Sequence, residues 1–287
     1  MKPQNFQAKI FVDGGDPKET SALKNALGFL DGQTTNPTLI TKNPEAKARL
    51  ARGEKFSSEE LLVFYKGVVQ ELSRIIPDGS VSIEVYADST TTADAMFAQG
   101  KEMFGWIPGA HIKYPTTNAG LAAAERSIAE GMRVNMTLCF TLAQAAAVYA
   151  ATKGAQKGDV FVSPFVGRLD DRGENGMQLI ENILRLYSKG DGHAEVLTAS
   201  VRNLQHFLYA EQLGSHIITT PSAVLQEWAG KGFPVPGADF RYDAGALRPI
   251  PEVALDLTQS WQSFDITHPL TTQGVERFAA DWNALIK

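Results

Sequence analysis

The chain has 287 residues, with 27 basic and 32 acidic side chains and a formal net charge of −5, which excludes the basic footprint of a nucleic-acid-binding protein. Its one cysteine, Cys139, cannot form an internal disulfide, so a disulfide scaffold and a cysteine-rich zinc cluster are excluded too. No window approaches the roughly 18 apolar residues of a membrane span, and Met1 to Ile10 has no apolar signal stretch, so a cytoplasmic protein with no nucleic-acid or membrane partner is expected.

Runs of β type recur along the chain, each followed by helical periodicity, which is the pattern of βα units on a parallel sheet. The first strand, Ala8 to Asp13, leads to a helix over Lys18 to Phe29. Gly32 to Asn36 is followed by helices over Pro37 to Leu50 and Ser58 to Ile76, and Val81 to Tyr86 by one over Thr90 to Phe104. His111 to Tyr114 precedes Ala119 to Glu130, and Val134 to Phe140 precedes Leu142 to Lys153. Val160 to Phe165, Glu195 to Ser200 and Ser215 to Thr219 are the remaining strands, with helices over Met177 to Ser188, Asn203 to Gln212 and Ser222 to Trp228. Length alone leaves one or two domains open, at about 150 residues per domain against roughly 250 for a barrel. Eight unbroken units predict a closed (β/α)8 TIM barrel over about 8–229 in a single domain, 1–287.

Gly230 to Pro251 contains Pro234, Pro236, Gly237, Gly245, Pro249 and Pro251, so it cannot continue a helix or central strand and opens an irregular C-terminal extension over about 230–287. A final amphipathic helix over Thr272 to Ile286 brings Phe278, Trp282 and Leu285 to one face. That face packs on the barrel or on a neighbouring subunit.

Strand alternation turns apolar residues toward the helices and leaves polar ones facing into the barrel. Met136, Leu138 and Phe140 oppose Asn135 and Thr137; Val81, Ile83 and Val85 oppose Ser82 and Glu84; Thr198, Ser200 and Arg202 share a face; Asp13 ends its strand. In His111-Ile112-Lys113-Tyr114-Pro115, the alternation that sends Ile112 outward sends Lys113 inward. A buried position favours the neutral amine, which is a nucleophile able to form Schiff bases, with Glu84 and Asp13 available to move protons. The competing reading is a lysine that snorkels to the rim or merely pairs with Glu84.

Five segments in chain order carry a resemblance. They are Asp31-Gly32-Gln33-Thr34-Thr35-Asn36-Pro37-Thr38-Leu39-Ile40; His111 to Pro115 with Gly120-Leu121; Val134 to Ala145; Ser163-Pro164-Phe165-Val166-Gly167-Arg168; and Ala199-Ser200-Val201-Arg202-Asn203. Together, over about residues 8–225, they resemble the transaldolases and their sister group, the fructose-6-phosphate aldolases. The resemblance implies a TIM barrel and class I aldolase chemistry with no metal and no organic cofactor. Lys113 would form the imine with C2 of a ketose phosphate. Asp13 would take the C4 hydroxyl proton, and Glu84 would act through a water supported by Thr137. Asn36, Asn135 and Ser163 would hold the dihydroxyacetone unit, with Phe165 beside it, and Arg168, Ser200 and Arg202 the phosphate. Glu84 and Phe165, where the sister group has Gln and Tyr, favour transaldolase over aldolase; an aldolase acting on free dihydroxyacetone or a sulfonated ketose is the alternative. Sugar phosphates are the implied partners, and a homo-oligomer, dimer or decamer, the implied assembly.

The chain departs from the pattern at Tyr114, where an aliphatic residue is usual, at Thr141, which replaces Ser, and in the run Leu169 to Gly176, which is nearer the compact aldolase-like members. Each motif also has a structural reading. Asn36-Pro37 can cap a helix, Ser163-Pro164-Phe165 can fill a strand end, and Arg168 and Arg202 can be surface ion-pair partners. His111, His193, His206, His216 and His268 lack metal-ligand spacing, and Asp170-Asp171 reads as a solvated loop. A binding barrel without catalysis is the third functional class. The motifs nevertheless converge on strand C-termini, where barrel enzymes keep their chemistry.

Overall fold

The computed structural model describes residues 2–287. Strands β1 (Lys9–Asp13), β2 (Gly32–Thr34), β3 (Ser80–Glu84), β4 (Ala110–Pro115), β5 (Val134–Cys139), β6 (Val160–Pro164), β7 (Ala194–Thr198) and β8 (Ile217–Thr220) form a closed parallel barrel in chain order. β8 pairs back to β1 through Lys9 with Ile217 and Val12 with Thr220. The helices α1 (Pro17–Leu27), α2 (Pro37–Thr41), α3 (Pro44–Ala51), α4 (Ser58–Ile75), α5 (Ala93–Phe104) and α6 (Asn118–Ala129) belong to the first half. Those of the second half are α7 (Leu142–Ala151), α8 (Val166–Asp170), α9 (Gly176–Tyr187), α10 (Leu204–Leu213), α11 (Ser222–Gly230) and α12 (Pro269–Ala284). The TIM barrel read from the sequence is therefore the fold.

The inward faces are fixed by contacts between strands that are not neighbours. Phe11 on β1 meets Phe161 on β6 edge to face at 6.0 Å, and Phe161 stacks on His111 of β4 at 4.0 Å. Only side chains inside the barrel can meet across it in this way. One pleat further along the same strands, period-2 alternation turns Asp13, Ser163 and Lys113 inward as well, one layer nearer the C-terminal mouth. The aromatic layer is thus the floor on which the polar layer stands.

The expected helix over Pro37 to Leu50 is two helices. Asn43 caps the second through Glu45 N, and Pro44 stands at its first position; within one continuous helix Pro44 would lack its N–H and its ring would strike the preceding turn. On β5 the register shifts between Met136 and Cys139, with Leu138 at φ 59°, so Leu138 and Phe140 do not continue the face of Met136. The short α8 directly after Phe165 was not apparent from periodicity. Two of the departures have local explanations. The Tyr114 hydroxyl meets Ser127 Oγ at 3.0 Å in the space opened by Gly100, where a Cβ would lie 2.0 Å from it. Thr141 caps α7 in a reciprocal box with Gln144, as a Ser would.

The Gly/Pro-rich stretch is a strap over the outside of the barrel. Trp228 Nε1 donates to the Pro234 carbonyl at 2.8 Å, Tyr242 stacks on Tyr209 of α10 at 4.6 Å, and Asn182 of α9 donates to the Ile250 carbonyl at 2.9 Å. Gln144 of α7 then holds the Ile266 carbonyl at 2.9 Å, so the chain regains the C-terminal end of the barrel just before α12. Phe278, Trp282 and Leu285 are buried against the chain's own barrel, which resolves the packing of the final helix; it begins at Pro269, three residues before the expected start. No described helix is long and apolar enough to cross a membrane.

Burial holds the His111 imidazole down to about 3, against 6.5 for an ordinary histidine. Its contribution to stability is therefore complete above the unfolded value and is lost as pH falls from about 6.5 toward 3. Thermal melts across that window will show a falling Tm, and His111→Gln, which does not titrate, will have a flatter dependence than wild type.

Candidate active site

A cavity of about 580 Å³ opens at the C-terminal ends of the strands. Nine of the eleven residues singled out in the sequence line it: Asp13, Asn36, Lys113, Thr137, Ser163, Phe165, Arg168, Ser200 and Arg202. Glu84 and Asn135 stand immediately behind this wall, each joined to a lining residue.

Lys113 is 3% exposed, and its Nζ donates to the Thr35 carbonyl at 3.0 Å. Glu84 Oε2 lies 2.8 Å from Nζ, an ion pair between two buried side chains without the angle of a hydrogen bond. β3 and β4 pair with Glu84 opposite Lys113, so sheet register alone sets the two heads side by side. Tyr65 of α4 holds this arrangement from the helix side: its hydroxyl accepts from Glu84 N at 3.0 Å and meets Thr35 Oγ1 at 2.6 Å. The same residue therefore fixes the backbone of Glu84 and the residue whose carbonyl receives Lys113.

Asp13 accepts from Thr34 Oγ1 at 2.7 Å, and Thr34 in turn meets Thr219 Oγ1 at 2.6 Å. Burial pushes the carboxyls of Asp13 and Glu84 up, and the Lys113 charge opposes the rise in both; the charge of Asp13 raises Glu84 further. Carboxyls with raised values beside an amine are the kind of groups that move protons. The Thr137 hydroxyl lines the cavity, buried and without a hydrogen-bond partner. Ser163 donates to Asn135 Oδ1 at 2.6 Å, and Asn135 donates to Ser82 Oγ at 3.0 Å, so Asn135 orients Ser163.

Asn36 does cap α2, its Oδ1 accepting from Leu39 N at 2.9 Å, yet it also lines the cavity; the structural and functional readings hold together. Ser200 reaches the cavity because its backbone is left-handed, at φ 59°. Thr198 does not share its face: Thr198 Oγ1 pairs with Ser215 Oγ at 2.8 Å, while Ala199 lines the cavity. Gly167 leaves room for this turn, since a Cβ there would lie 2.2 Å from Arg202 Nε and 2.5 Å from the Ser200 carbonyl. Arg202 pairs with Asp171 at 2.6 Å, both exposed, whereas half-buried Arg168 lies over the rings of Phe165 and Phe278 at 5.5 and 5.6 Å.

Sequence reasoning missed Thr34, Lys42, Arg172, Gln273, Arg277 and Phe278, which also line the cavity. Thr34 stands inside a motif that was already singled out and could have been found there. Gln273, Arg277 and Phe278 carried no such signal, because no pattern in the chain says that α12 crosses the mouth. Among the described residues no group of three His, Cys, Asp or Glu side chains could hold a metal ion.

A (β/α)8 barrel with a buried lysine–carboxylate pair beneath an arginine-rimmed mouth defines a barrel enzyme of the aldolase type. Comparison with known proteins narrows the class. Residues 10–287 match the transaldolase/fructose-6-phosphate aldolase family. The chain is 34% identical over 280 residues to a probable transaldolase of Dehalococcoides mccartyi, covering 97% of this chain and 100% of that one. It is 35% identical over 274 residues to a probable transaldolase of Brucella ovis, and 34% over 274 residues to one of Caulobacter vibrioides, each covering 96% of both chains. The chain belongs to the transaldolase/fructose-6-phosphate aldolase family.

A carboxyl whose folded value is raised stabilises the fold below its unfolded value, and that contribution is lost as pH rises through the folded value. Asp13→Asn removes a partly buried charge and keeps the acceptor for Thr34, so at pH 7 it will raise Tm by on the order of 2 °C while activity falls. Tyr65→Phe leaves Glu84 N and Thr35 Oγ1 without their shared partner; denaturant titration will show a loss of about 1–2 kcal/mol, with kcat reduced and KM little changed.

Proposed function

We propose that the protein is a transaldolase, carrying a dihydroxyacetone unit from a ketose phosphate such as fructose 6-phosphate or sedoheptulose 7-phosphate to an aldose phosphate, through a Schiff base on Lys113. The observation that carries this reading is an almost inaccessible amine, 2.8 Å from Glu84, at the base of a cavity whose outer end holds Arg168 and Arg202.

In this mechanism the Lys113 amine attacks C2 of the ketose to form a carbinolamine. A water held between Glu84 and the free hydroxyl of Thr137 delivers a proton to the departing hydroxyl, and water leaves as the imine forms. Asp13 takes the C4 hydroxyl proton as the C3–C4 bond breaks, the bond's electron pair passing to C3 to give the enamine while the aldose phosphate departs. The enamine carbon attacks the acceptor aldehyde, Asp13 returns its proton to the new C4 alkoxide, and hydrolysis of the imine frees Lys113.

Ser163, oriented by Asn135, and Asn36 bind the hydroxyls of the three-carbon unit. Arg168, Arg202 and Ser200 bind the phosphate, for which the planar guanidinium offers paired donors. Phe165 has no hydroxyl with which to bring water or a proton to the enamine, so the intermediate persists until an acceptor arrives. That feature favours transfer over simple aldol cleavage.

Intact-mass analysis after incubation with fructose 6-phosphate and borohydride tests the reading. Wild type will gain a dihydroxyacetone-sized adduct, Lys113→Ala will gain none, and erythrose 4-phosphate added before the borohydride will deplete it. An adduct that the acceptor leaves untouched, with product released in its absence, would make the protein an aldolase instead.

A further inference from the structure

Arg277, on α12, reaches the cavity from the far end of the chain. Its neighbour Phe278 carries the Arg168 guanidinium over its ring, and burial first, then the charges of Arg277 and Arg202, hold the Arg168 guanidinium below its ordinary value. Arg168, Arg202 and Arg277 all line the same cavity, and among the described residues no carboxylate forms an ion pair with Arg168. The carboxylates of the other two are surface partners, Asp171 at 2.6 Å from Arg202 and Asp281 at 3.4 Å from Arg277, each in an ion pair with at least one half-exposed member. Such pairs contribute little and yield readily to a better anion.

The helix that carries Arg277 is held in place. Thr271 donates to the Leu138 carbonyl at the β5 bulge at 3.0 Å and accepts from Gln144 at 2.8 Å. Gly274 lies against Leu138 so closely that a Cβ would stand 2.6 Å from Cδ2, and Thr38 of α2 donates to Asp281 one turn beyond Arg277. The guanidinium is thus tethered over the mouth on a fixed helix.

We propose that Arg277 is a third cation for the substrate's terminal anion, which makes the site selective for a phosphate dianion over a singly charged group such as a sulfonate. Like-charged guanidiniums that face one cavity repel one another, and a doubly charged ligand relieves more of that repulsion than a singly charged one. The inference rests on the transaldolase reading for the kind of substrate, but its test needs no turnover.

Calorimetric titration of the full chain with inorganic phosphate and with methanesulfonate compares wild type, Arg277→Gln, Arg277→Lys and Arg168→Gln. Arg277 is largely exposed, so its two changes leave the fold intact, and melting curves check this and the fold of Arg168→Gln. Arg277→Gln will weaken phosphate binding roughly tenfold and narrow the preference over methanesulfonate; Arg277→Lys will recover part of both. In turnover with fructose 6-phosphate the loss will fall on KM, not on kcat. Unchanged phosphate affinity in Arg277→Gln beside a loss in Arg168→Gln, or no phosphate binding by wild type, would overturn the proposal. Phosphate binding that depends on Arg277 in a protein that forms no borohydride adduct would instead refute the transaldolase reading and leave the third cation standing.

Discussion

A lysine and a glutamate, 2.8 Å apart and nearly sealed from water, are the constraint around which this barrel is arranged. An ion pair in such a place is not a source of stability, because the desolvation of two charges outweighs much of their attraction unless further dipoles support them. The Thr35 carbonyl just beyond β2 accepts from Lys113 and the Tyr65 hydroxyl on α4 accepts from the Glu84 backbone N–H, while the Ser82-Asn135-Ser163 chain ties β3, β5 and β6 together. Thr35 and Tyr65 belong to the second βα unit, Glu84 to the third and Lys113 to the fourth, so the pair is held only where these units pack together.

The two ends of the barrel interior divide the work. Toward the N-terminal end Phe11, Phe161 and His111 fill the lumen with stacked rings, and Lys9 with Glu195 closes the bottom. Toward the C-terminal end the same inward positions carry Asp13, Ser163 and Lys113, above which the cavity opens. The lower layers hold the strands whose next inward residues line the cavity, at the end of the barrel where such folds keep their sites.

The C-terminal extension is part of the site. Its strap follows α11, α10 and α9 and returns by α7, bringing α12 across the mouth. There Trp282 packs edge-on against Tyr65 at 5.8 Å while Phe278 faces the cavity. The helix that supplies the outer wall thus touches the residue that braces Glu84 and Thr35 from behind. The Leu138 bulge, which breaks the alternation of β5, is the seat on which that helix rests.

The eight βα units, the inward turn of Lys113, Glu84 and Asp13, and the motifs at the strand ends were all legible in the sequence, because they depend on period-2 alternation and on spacing within single segments. Alternation failed where the backbone leaves extended geometry, at Leu138 and at Ser200, since a left-handed residue turns its neighbours to faces that no periodicity records. It also gave Thr198 the wrong face, because Ser200 was counted as part of a regular strand. What the tertiary structure alone decided was the company these residues keep: Tyr65 beneath Glu84, Asn135 bonded to Ser163, and Arg277 beside Arg168. Those relations join residues distant in the chain through barrel closure and the path of an irregular strap, and local propensity and spacing carry no information about either.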